Sequence, residues 1–220
     1  MKKKLNELFG PYDLPKKPDQ SLLTASFYQR NFNRQKLQLR PMHLALHGRL
    51  LHKWCNQPYA ARFWQLQGTY KSFKAYYDEM LEASINLFFM LYLDDIPVGF
   101  VEVYRVINDE ELAQHLDAQN NDYGLHLLMC PYRLLPPSVI KNMKGIAYQS
   151  LLTVLDFLFY ILTIDNLFVE PDAANIHACR LAEQAGFDFL ETIQLSYKTA
   201  NLYRYVRKDY EKKHPLKTRK

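Results

Sequence analysis

A histidine lies inside an apolar segment, DYGLHLLM, at residues 122–129. Side chains alternate between the two faces of a strand, so His126 shares a face with Gly124 and Leu128, while the other face can pack against a helix. An imidazole has an ordinary pKa of about 6.5 and can accept a proton from a nucleophilic nitrogen at neutral pH. The pattern makes His126 a candidate general base in a cleft. A core histidine held by one hydrogen bond is the alternative.

An aspartate precedes a predicted helix further along the chain. In the stretch PDAAN, at residues 171–175, Asp172 stands where a carboxylate can cap the free amides of a helix N-terminus. Such a cap stabilises a helix by about 1 kcal/mol. The same position, at the carboxyl end of a strand, also faces the cleft. Asp172 can therefore orient His126 or hold a cationic amine of the substrate, and capping alone remains an equal alternative.

A glutamate lies inside the apolar strand segment VGFVEVYRV, at residues 98–106. Burying the carboxylate of Glu102 without a partner would be costly. We therefore expect Glu102 either to bind the ammonium group of a substrate or to form an internal salt bridge.

The elements that must position these residues alternate between strands and helices. Strands are predicted at 36–40, 86–93, 98–106, 124–129, 167–171, 189–195 and 201–206, and helices at 44–54, 60–83, 145–160 and 173–186. The order of strand, long helix and strand between residues 124 and 171 predicts a βαβ unit with parallel strands. The fold class is therefore α+β, with a central mixed sheet flanked by helices.

The sequence divides into one domain and two ends. Residues 1–35 hold Pro11, Pro15 and Pro18 among polar residues, which predicts an irregular arm. Residues 36–206 form the predicted domain, and residues 207–220 form a basic tail.

Charge and composition exclude several classes of protein. The net charge is +5, but the basic residues concentrate at the two ends and leave an acidic body, which argues against nucleic-acid binding. The longest apolar run is too short and too polar to span a membrane, and we expect no secretory signal. Three widely spaced cysteines favour neither a disulfide framework nor a metal site and suit a reducing cytoplasm.

Four segments, in this order, resemble the GNAT-fold acyltransferases of siderophore biosynthesis. They are RPMHLALHGRLLHKWCNQPYAARFW (40–64), the Glu-x-Tyr of GFVEVYRV (99–106), the Gly-x-His of DYGLHLLM and VEPDAANIHACRLAEQAGF (169–187). The resemblance is to the aerobactin and alcaligin type, which is related to the mycobactin lysine N-acyltransferases. It covers about residues 36–205 and implies a GNAT acyl-CoA N-acyltransferase fold.

The resemblance implies an activity and its reactants. Such enzymes transfer an acyl group from acyl-CoA, with acetyl-CoA foremost, to an N-hydroxylated lysine, cadaverine or putrescine and form a hydroxamate. The mycobactin type acylates the ε-amine of lysine instead. No metal is implied, and other siderophore-pathway enzymes are candidate partners. A strand histidine and the aspartate of the Glu-Pro-Asp segment form the implied catalytic pair, here His126 and Asp172.

The resemblance also implies two sets of binding residues. The substrate-binding set is Trp54, Asn56, Trp64, Glu102 and Tyr104, and the cofactor-binding set is Leu128, Met129, Asn142, Lys144, Gly145, Ile146, Ala147 and Asn175. In the second set, NMKGIA (142–147) stands for a loop that binds pyrophosphate at a helix N-terminus, where amides and the helix dipole favour anions. An ordinary loop with exposed lysines is the alternative.

Two features depart from the family pattern. Asn142 stands where glutamine or arginine is usual, and Ala182 stands where many GNAT enzymes carry a tyrosine that protonates the thiolate of CoA. Two rival functions follow. One is N-acetylation of a non-hydroxylated amine such as lysine or an aminoglycoside, and the other is acyl-CoA binding without turnover.

Overall fold

The computed structural model describes residues 26–32, 34–83, 86–135, 137–140 and 144–215. Eight strands form one sheet in the order β1-β2-β3-β4-β5-β6-β8-β7. Neighbouring strands are antiparallel except β5 and β6, which are parallel, so the predicted mixed sheet is confirmed. The strands are β1 (Tyr28–Phe32), β2 (Gln35–Pro41), β3 (Asn86–Leu93), β4 (Ile96–Arg105), β5 (Asp122–Met129), β6 (Asn166–Val169), β7 (Asp188–Leu195) and β8 (Lys198–Val206).

Helices flank this sheet, and the three longest lie in the connections from β2 to β3 and from β5 to β6. They are α1 (Leu44–Cys55), α2 (Pro58–Trp64), α3 (Tyr70–Ala83), α4 (Glu110–Ala113), α5 (Pro137–Ile140), α6 (Ile146–Asp156), α7 (Ile176–Ala185) and α8 (Arg207–Lys213). A π-helix over Phe157–Leu162 continues α6. Helix α6 is the crossover between β5 and β6, which confirms the predicted βαβ unit.

The core lies around the two central strands. Strand β4 is buried without interruption from Val98 to Tyr104, and β3 is buried from Phe88 to Leu91. Strands that are covered on both faces read as continuous apolar runs, as these do. Glu102 is the charged residue within the buried run of β4, and only 6% of it is exposed. A carboxylate buried in this way requires a partner.

The parallel pair separates along its length. Strands β5 and β6 pair over three positions, from Asp122 opposite Asn166 to Gly124 opposite Phe168. Strand β5 continues to Met129. Over that stretch, no strand in the described part of the chain pairs with the β6-facing edge of β5. A cleft therefore opens into the sheet directly after Gly124.

The prediction of an irregular arm up to residue 35 is wrong at its end. Residues Tyr28–Phe32 form β1, which pairs with β2 at the edge of the sheet. The strand alternates half-buried and exposed residues, and its half-buried Arg30 forms a salt bridge of 3.1 Å with Asp156. Polar and charged residues at most positions concealed this short strand in the sequence. Residues 1–25 lie outside the described part of the chain.

Two helix predictions also change in detail. The helical region predicted at 60–83 is broken by Gln65 and Gly68, which both have positive φ, so α2 and α3 are separate. The predicted basic tail begins with α8, a helix anchored by the fully buried Tyr210. One large aromatic residue is thus enough to fix a helical turn that the basic composition concealed.

Candidate active site

His126 lies between two buried glutamates. Its Nδ1 is 3.3 Å from Oε2 of Glu102, and its Nε2 is 2.8 Å from Oε1 of Glu170. Glu102 comes from β4, where it is directly opposite His126, and Glu170 follows the last residue of β6. Asn86 donates from Nδ2 to the other oxygen of Glu102 at 2.8 Å. We call Glu102, His126 and Glu170 the carboxylate–histidine cluster.

The register of the parallel strands brings Glu170 to His126. Gly124 pairs with Phe168, and the two cluster residues each lie two positions further along their chains, on the same face. Tyr104, opposite Gly124 on β4, donates its hydroxyl to Oε2 of Glu170 at 2.9 Å. A Cβ atom on Gly124 would lie only 2.0 Å from the Tyr104 ring. Glycine at this position therefore makes room for the tyrosine that fixes Glu170.

The carboxylates decide the charge of the imidazole. Burial, the largest single influence, would lower the pKa of His126, but the charges of Glu170 and Glu102 and the hydrogen bonds to both glutamates together outweigh it and raise that pKa to about 10. For Glu170, burial would raise the pKa, but His126 and then Lys198 lower it below its usual range. His126 is therefore an imidazolium at neutral pH. The ordinary pKa expected for it from the sequence is wrong.

An apolar cavity of about 340 Å³ lies in the cleft where β5 and β6 separate. His126, Glu102 and Glu170 form part of its wall. Its apolar lining includes Leu125 and Leu127 of β5, Val169 of β6, Pro171 after β6, Leu151 of α6, and Ala178 and Leu181 of α7.

An acidic cavity of about 480 Å³ lies on the other side of His126. Its charged lining consists of Glu102, Arg105, Asp109, Glu110 and Glu111. Four residues line both cavities: Tyr76, Glu102, His126 and Tyr197. The imidazolium therefore stands where the two cavities meet.

Trp64 and Tyr104 lie beside the histidine, as two members of the predicted substrate-binding set. The ring of Trp64, which also lines the apolar cavity, is 6.0 Å from the His126 ring in an edge-on arrangement. The ring of Tyr104 is 5.0 Å from His126 on the other side. Both rings are therefore in edge-on or tilted contact with the imidazole.

Asp172 lines the apolar cavity but does not pair with His126. Its Oδ1 accepts from the amide of Ala174 at 2.7 Å. The side chain that caps α7 belongs to Asn175, which accepts from Ala178. The expected helix cap at Asp172 is therefore wrong, and the partner of His126 is Glu170, two residues earlier. A catalytic role for Asp172 stays a prediction.

Trp54 and Asn56 hold other parts of the fold together and do not line either cavity. Trp54 is 2% exposed and packs in the core on the buried face of α1. Asn56 accepts from the amide of Gly68 at 3.0 Å and donates to the carbonyl of His52 at 2.8 Å, so it fastens the loop between α2 and α3. The structure places neither residue on the two cavities described above.

The cofactor residues predicted on β5, Leu128 and Met129, do not line the apolar cavity, and their role in binding CoA stays a prediction. Cys130 donates its amide to Val98, which fixes the alternation of the β4–β5 pair. The main-chain groups of Leu125 and Leu127 therefore point away from β4 and into the cleft. Leu128 instead buries its side chain in the core, and the carbonyl of Met129 accepts from Tyr59 at 2.6 Å.

The predicted pyrophosphate loop is described only from Lys144 onward, and Asn142 lies outside the described residues. Gly145 is the N-cap residue of α6, with φ 81°, and as a glycine it has no side chain to cap the helix. Lys144 is exposed, whereas Ile146 is buried and Ala147 is half-buried. The first amides of α6 are thus available to an anion. Binding of CoA here stays a prediction.

Sequence reasoning missed Glu170, Lys198, Tyr76 and Tyr197. The sequence did contain a signal for Glu170. In Gly-x-His (124–126) and in Phe-x-Glu (168–170), a polar residue lies two positions after the last paired residue of its strand. Within the described residues, no group of acidic, histidine or cysteine side chains could hold a metal ion, and all three cysteines are free and buried. A helix of sufficient length and apolarity to cross a membrane is likewise not found there.

Comparison with known proteins identifies relatives over most of the chain. The acetyltransferase (GNAT) domain model matches residues 43–195. An N-hydroxyputrescine acetyltransferase of Acinetobacter baumannii is 27% identical, over 73% of this chain and 73% of its own. An N(6)-hydroxylysine O-acetyltransferase of Escherichia coli is 23% identical over 68% of this chain, and the match spans 45% of that relative.

Solved structures share the fold. The aminoglycoside acetyltransferase AAC(6')-Ib, in complex with coenzyme A, matches with a TM-score of 0.68 at 20% identity, over 80% of this chain and 98% of that one. Spermidine N-acetyltransferase of Vibrio cholerae, in complex with CoA and spermine, matches with a TM-score of 0.59 at 16% identity, over 79% and 97%. Because the family model spans the chain from the start of α1 to the end of β7, the protein belongs to the GNAT acetyltransferases and is an acyl-CoA N-acetyltransferase.

Proposed function

We propose that this enzyme transfers an acetyl group from acetyl-CoA to an N-hydroxylated diamine, such as hydroxyputrescine or hydroxycadaverine, and so forms a hydroxamate for siderophore biosynthesis. The observation that carries the proposal is the meeting of an apolar and an acidic cavity at His126. A relative named for hydroxyputrescine supports a diamine acceptor, and one named for hydroxylysine supports only the broader class of N-hydroxylated amines. Free cysteines and the use of acyl-CoA favour a cytoplasmic location beside other enzymes of the pathway.

The apolar cavity suits the acyl-pantetheine arm of acetyl-CoA. Its wall includes the edge of β5 where the main-chain groups of Leu125 and Leu127 point into the cleft. An amide-bearing arm can bond to such an edge as an added strand does. The pyrophosphate would then bind at the N-terminus of α6, next to Gly145 and Lys144.

The acidic cavity suits the acceptor. A diamine that is hydroxylated at one nitrogen keeps an ammonium at the other end, and the carboxylates of Asp109, Glu110 and Glu111 would attract it. Hydrogen bonds from Ser196 lower the pKa of Glu111, so its carboxylate is charged at neutral pH. Hydroxylysine carries a carboxylate besides its ammonium, and the same cavity would disfavour it.

The cluster provides a path for the proton. The acceptor nitrogen is largely neutral at pH 7, attacks the thioester carbon and forms the C–N bond, and the C–S bond then breaks. Glu102, which lines both cavities, takes the proton from the nitrogen, and the His126 imidazolium protonates the departing thiolate. Transfer from Glu102 to His126, over the 3.3 Å contact, restores the starting state. In this path His126 is the proton donor for the thiolate, a role that the alanine at position 182 cannot perform.

One mass-spectrometric assay tests the acceptor class. Acetyl-, succinyl- and longer acyl-CoA are each combined with the hydroxylated and plain forms of putrescine, cadaverine and lysine. We expect acetyl transfer to the hydroxylated diamines with the highest kcat/KM, and a lower value for hydroxylysine. Equal or better transfer to the plain amines would contradict the proposal.

A second candidate function is acetylation of a plain polyamine. The acidic cavity favours it, since any chain with a distal ammonium fits that lining. An alkyl amine is largely protonated at pH 7 and must lose its proton before attack, so its kcat/KM would rise steeply with pH. A hydroxylated diamine would show a much flatter rise above neutral pH.

A further inference from the structure

Lys198 reaches from the start of β8 into the active site. Its Nζ donates to the main-chain carbonyl of Glu170 at 2.6 Å and approaches Oε1 of the same residue at 3.3 Å. Only 12% of its side chain is exposed. Oε1 of Glu170 also bonds to Nε2 of His126 at 2.8 Å, so one carboxylate oxygen contacts two cations.

Lys198 completes a balance of charge. Along the cluster, the charges alternate from Glu102 to His126, Glu170 and Lys198, with two carboxylates and two cations in contact. Without Lys198, one imidazolium would be left between two buried carboxylates. A proton on His126 would then be held more tightly, because fewer positive charges oppose it.

Lys198 also fixes the place where the strands separate. Glu170 directly follows β6, and its carbonyl accepts from the lysine ammonium, while no backbone amide of the described residues bonds to it. The bond keeps the carboxylate of Glu170 on the cleft side, where Tyr104 holds its second oxygen.

We propose that Lys198 is a positioning residue for acetyl transfer, which fixes Glu170 and offsets its charge so that His126 can release a proton to the leaving thiolate. The inference rests on the proton path proposed above. The other titratable groups that face the pair are Glu102 and Tyr104 of β4, Tyr76 of α3, Tyr197 of the β7–β8 turn and Asp172 in the cavity wall.

The test compares Lys198→Met and Lys198→Arg with Lys208→Met, an exposed lysine of α8. Two quantities are measured on the full chain: the titration of ¹⁵N-labelled His126 by NMR, and kcat against pH with hydroxyputrescine. For Lys198→Met we expect the His126 titration and the alkaline limb of kcat to move upward by about one pH unit, with about a tenfold fall of kcat at neutral pH. Lys198→Arg should restore most of both, and Lys208→Met should change neither.

The outcomes separate this inference from the proposed function. A His126 titration that does not move in folded Lys198→Met, as judged by its melting temperature, would overturn the role of Lys198. A kcat that falls equally in the arginine variant, with no shift of the limb, would show a structural role only and would also overturn it. If hydroxyputrescine is not acetylated at all, the proposed function fails, while the NMR titration still tests the effect of Lys198 on His126.

Discussion

Two regions of the molecule contain buried histidines, and the pKa of the imidazole is shifted in opposite directions in the two. In the active site, the carboxylates of Glu102 and Glu170 raise the pKa of His126 despite its burial. At the start of α1, no carboxylate of the described residues contributes to the pKa shifts of His43 and His47. Burial lowers the pKa of both, and that of His47 falls to about 4, with repulsion from His43 adding to the effect. At neutral pH the imidazole of His126 is therefore protonated, whereas those of His43 and His47 are neutral.

The hydrogen bonds of the histidines in the two regions agree with these charge states. His47 accepts from the amide of His43 at 2.9 Å and contacts the hydroxyl of Tyr92 at 2.9 Å, which suits a neutral ring. Neither ring nitrogen of His43 has a hydrogen-bond partner among the described residues. Burial alone therefore does not identify a catalytic histidine. The groups to which the ring nitrogens bond distinguish the catalytic histidine from the others.

The largest expected effect separates the two regions directly. His126→Ala should lower kcat by about 100- to 10,000-fold, because the proton donor is lost, and should leave the affinity for acetyl-CoA unchanged. His43→Leu, the matched control, should keep kcat and raise the free energy of unfolding by about 1 kcal/mol, because a buried polar group without a partner is removed. Steady-state kinetics and urea unfolding measure both. A His126→Ala variant with a lower melting temperature but an intact kcat would mean that the imidazole is only a core residue.

A second experiment compares the two carboxylates at the end of β6. Glu170→Gln keeps the size of the side chain but removes its charge from His126, and kcat should fall by about 100-fold. Asp172→Asn and Asp172→Ser should cost much less, because an uncharged oxygen can still accept from the Ala174 amide. If the Asp172 variants lose as much kcat as Glu170→Gln, then Asp172 carries the chemistry.

A third, smaller effect concerns the donor side of the site. Gly145→Glu places a negative charge at the N-terminus of α6 and should raise the KM for acetyl-CoA by about tenfold. Gly68→Glu is the control, since both glycines have positive φ and open space around them, so both variants carry similar backbone strain. An equal KM for acetyl-CoA in the two variants would contradict binding of the pyrophosphate at the N-terminus of α6.

The smallest expected effect is on stability against pH. The raised pKa of His126 stabilises the fold below its unfolded value of about 6.5, and that contribution is lost as pH rises through the folded pKa. His47 acts in the opposite direction. Its lowered pKa means that stability is lost as pH falls from about 6.5 towards about 4. Melting temperatures should therefore fall at both ends for the wild type. His126→Gln should reduce the alkaline fall and His47→Gln the acidic one, to which His43 and Glu170 also contribute; a variant that keeps both falls at their full size would refute the assignment.

The sequence was sufficient to predict the mixed sheet, the parallel pair and the place of His126 on a cleft-facing strand. These follow from alternation and element order, which are local properties. The family resemblance implies Asp172 as the partner of His126, whereas the register of the two parallel strands, which cannot be read from either strand alone, selects Glu170. Once Gly124 is opposite Phe168, Glu170 is fixed beside the imidazole.

Trp54 and Trp64 show the same limit. They are the same residue type, and the family resemblance implied a pocket for both. Trp54 faces inward from α1 into the core, while Trp64 ends α2 just before the left-handed Gln65 and lies against His126. Which tryptophan meets the cavity depends on how α1 and α2 pack on the sheet, and residue type carries no information on that.

The measurement that tests the account most directly is the side-chain titration of His126 and His47 in ¹⁵N-histidine-labelled protein, assigned with His126→Gln and His47→Gln. We expect His126 to stay protonated through neutral pH and to titrate only in the alkaline range, while His47 stays neutral down to acidic pH. An imidazole at position 126 that titrates near 6.5, as an isolated histidine does, would contradict the central claim that Glu102 and Glu170 hold a proton on it.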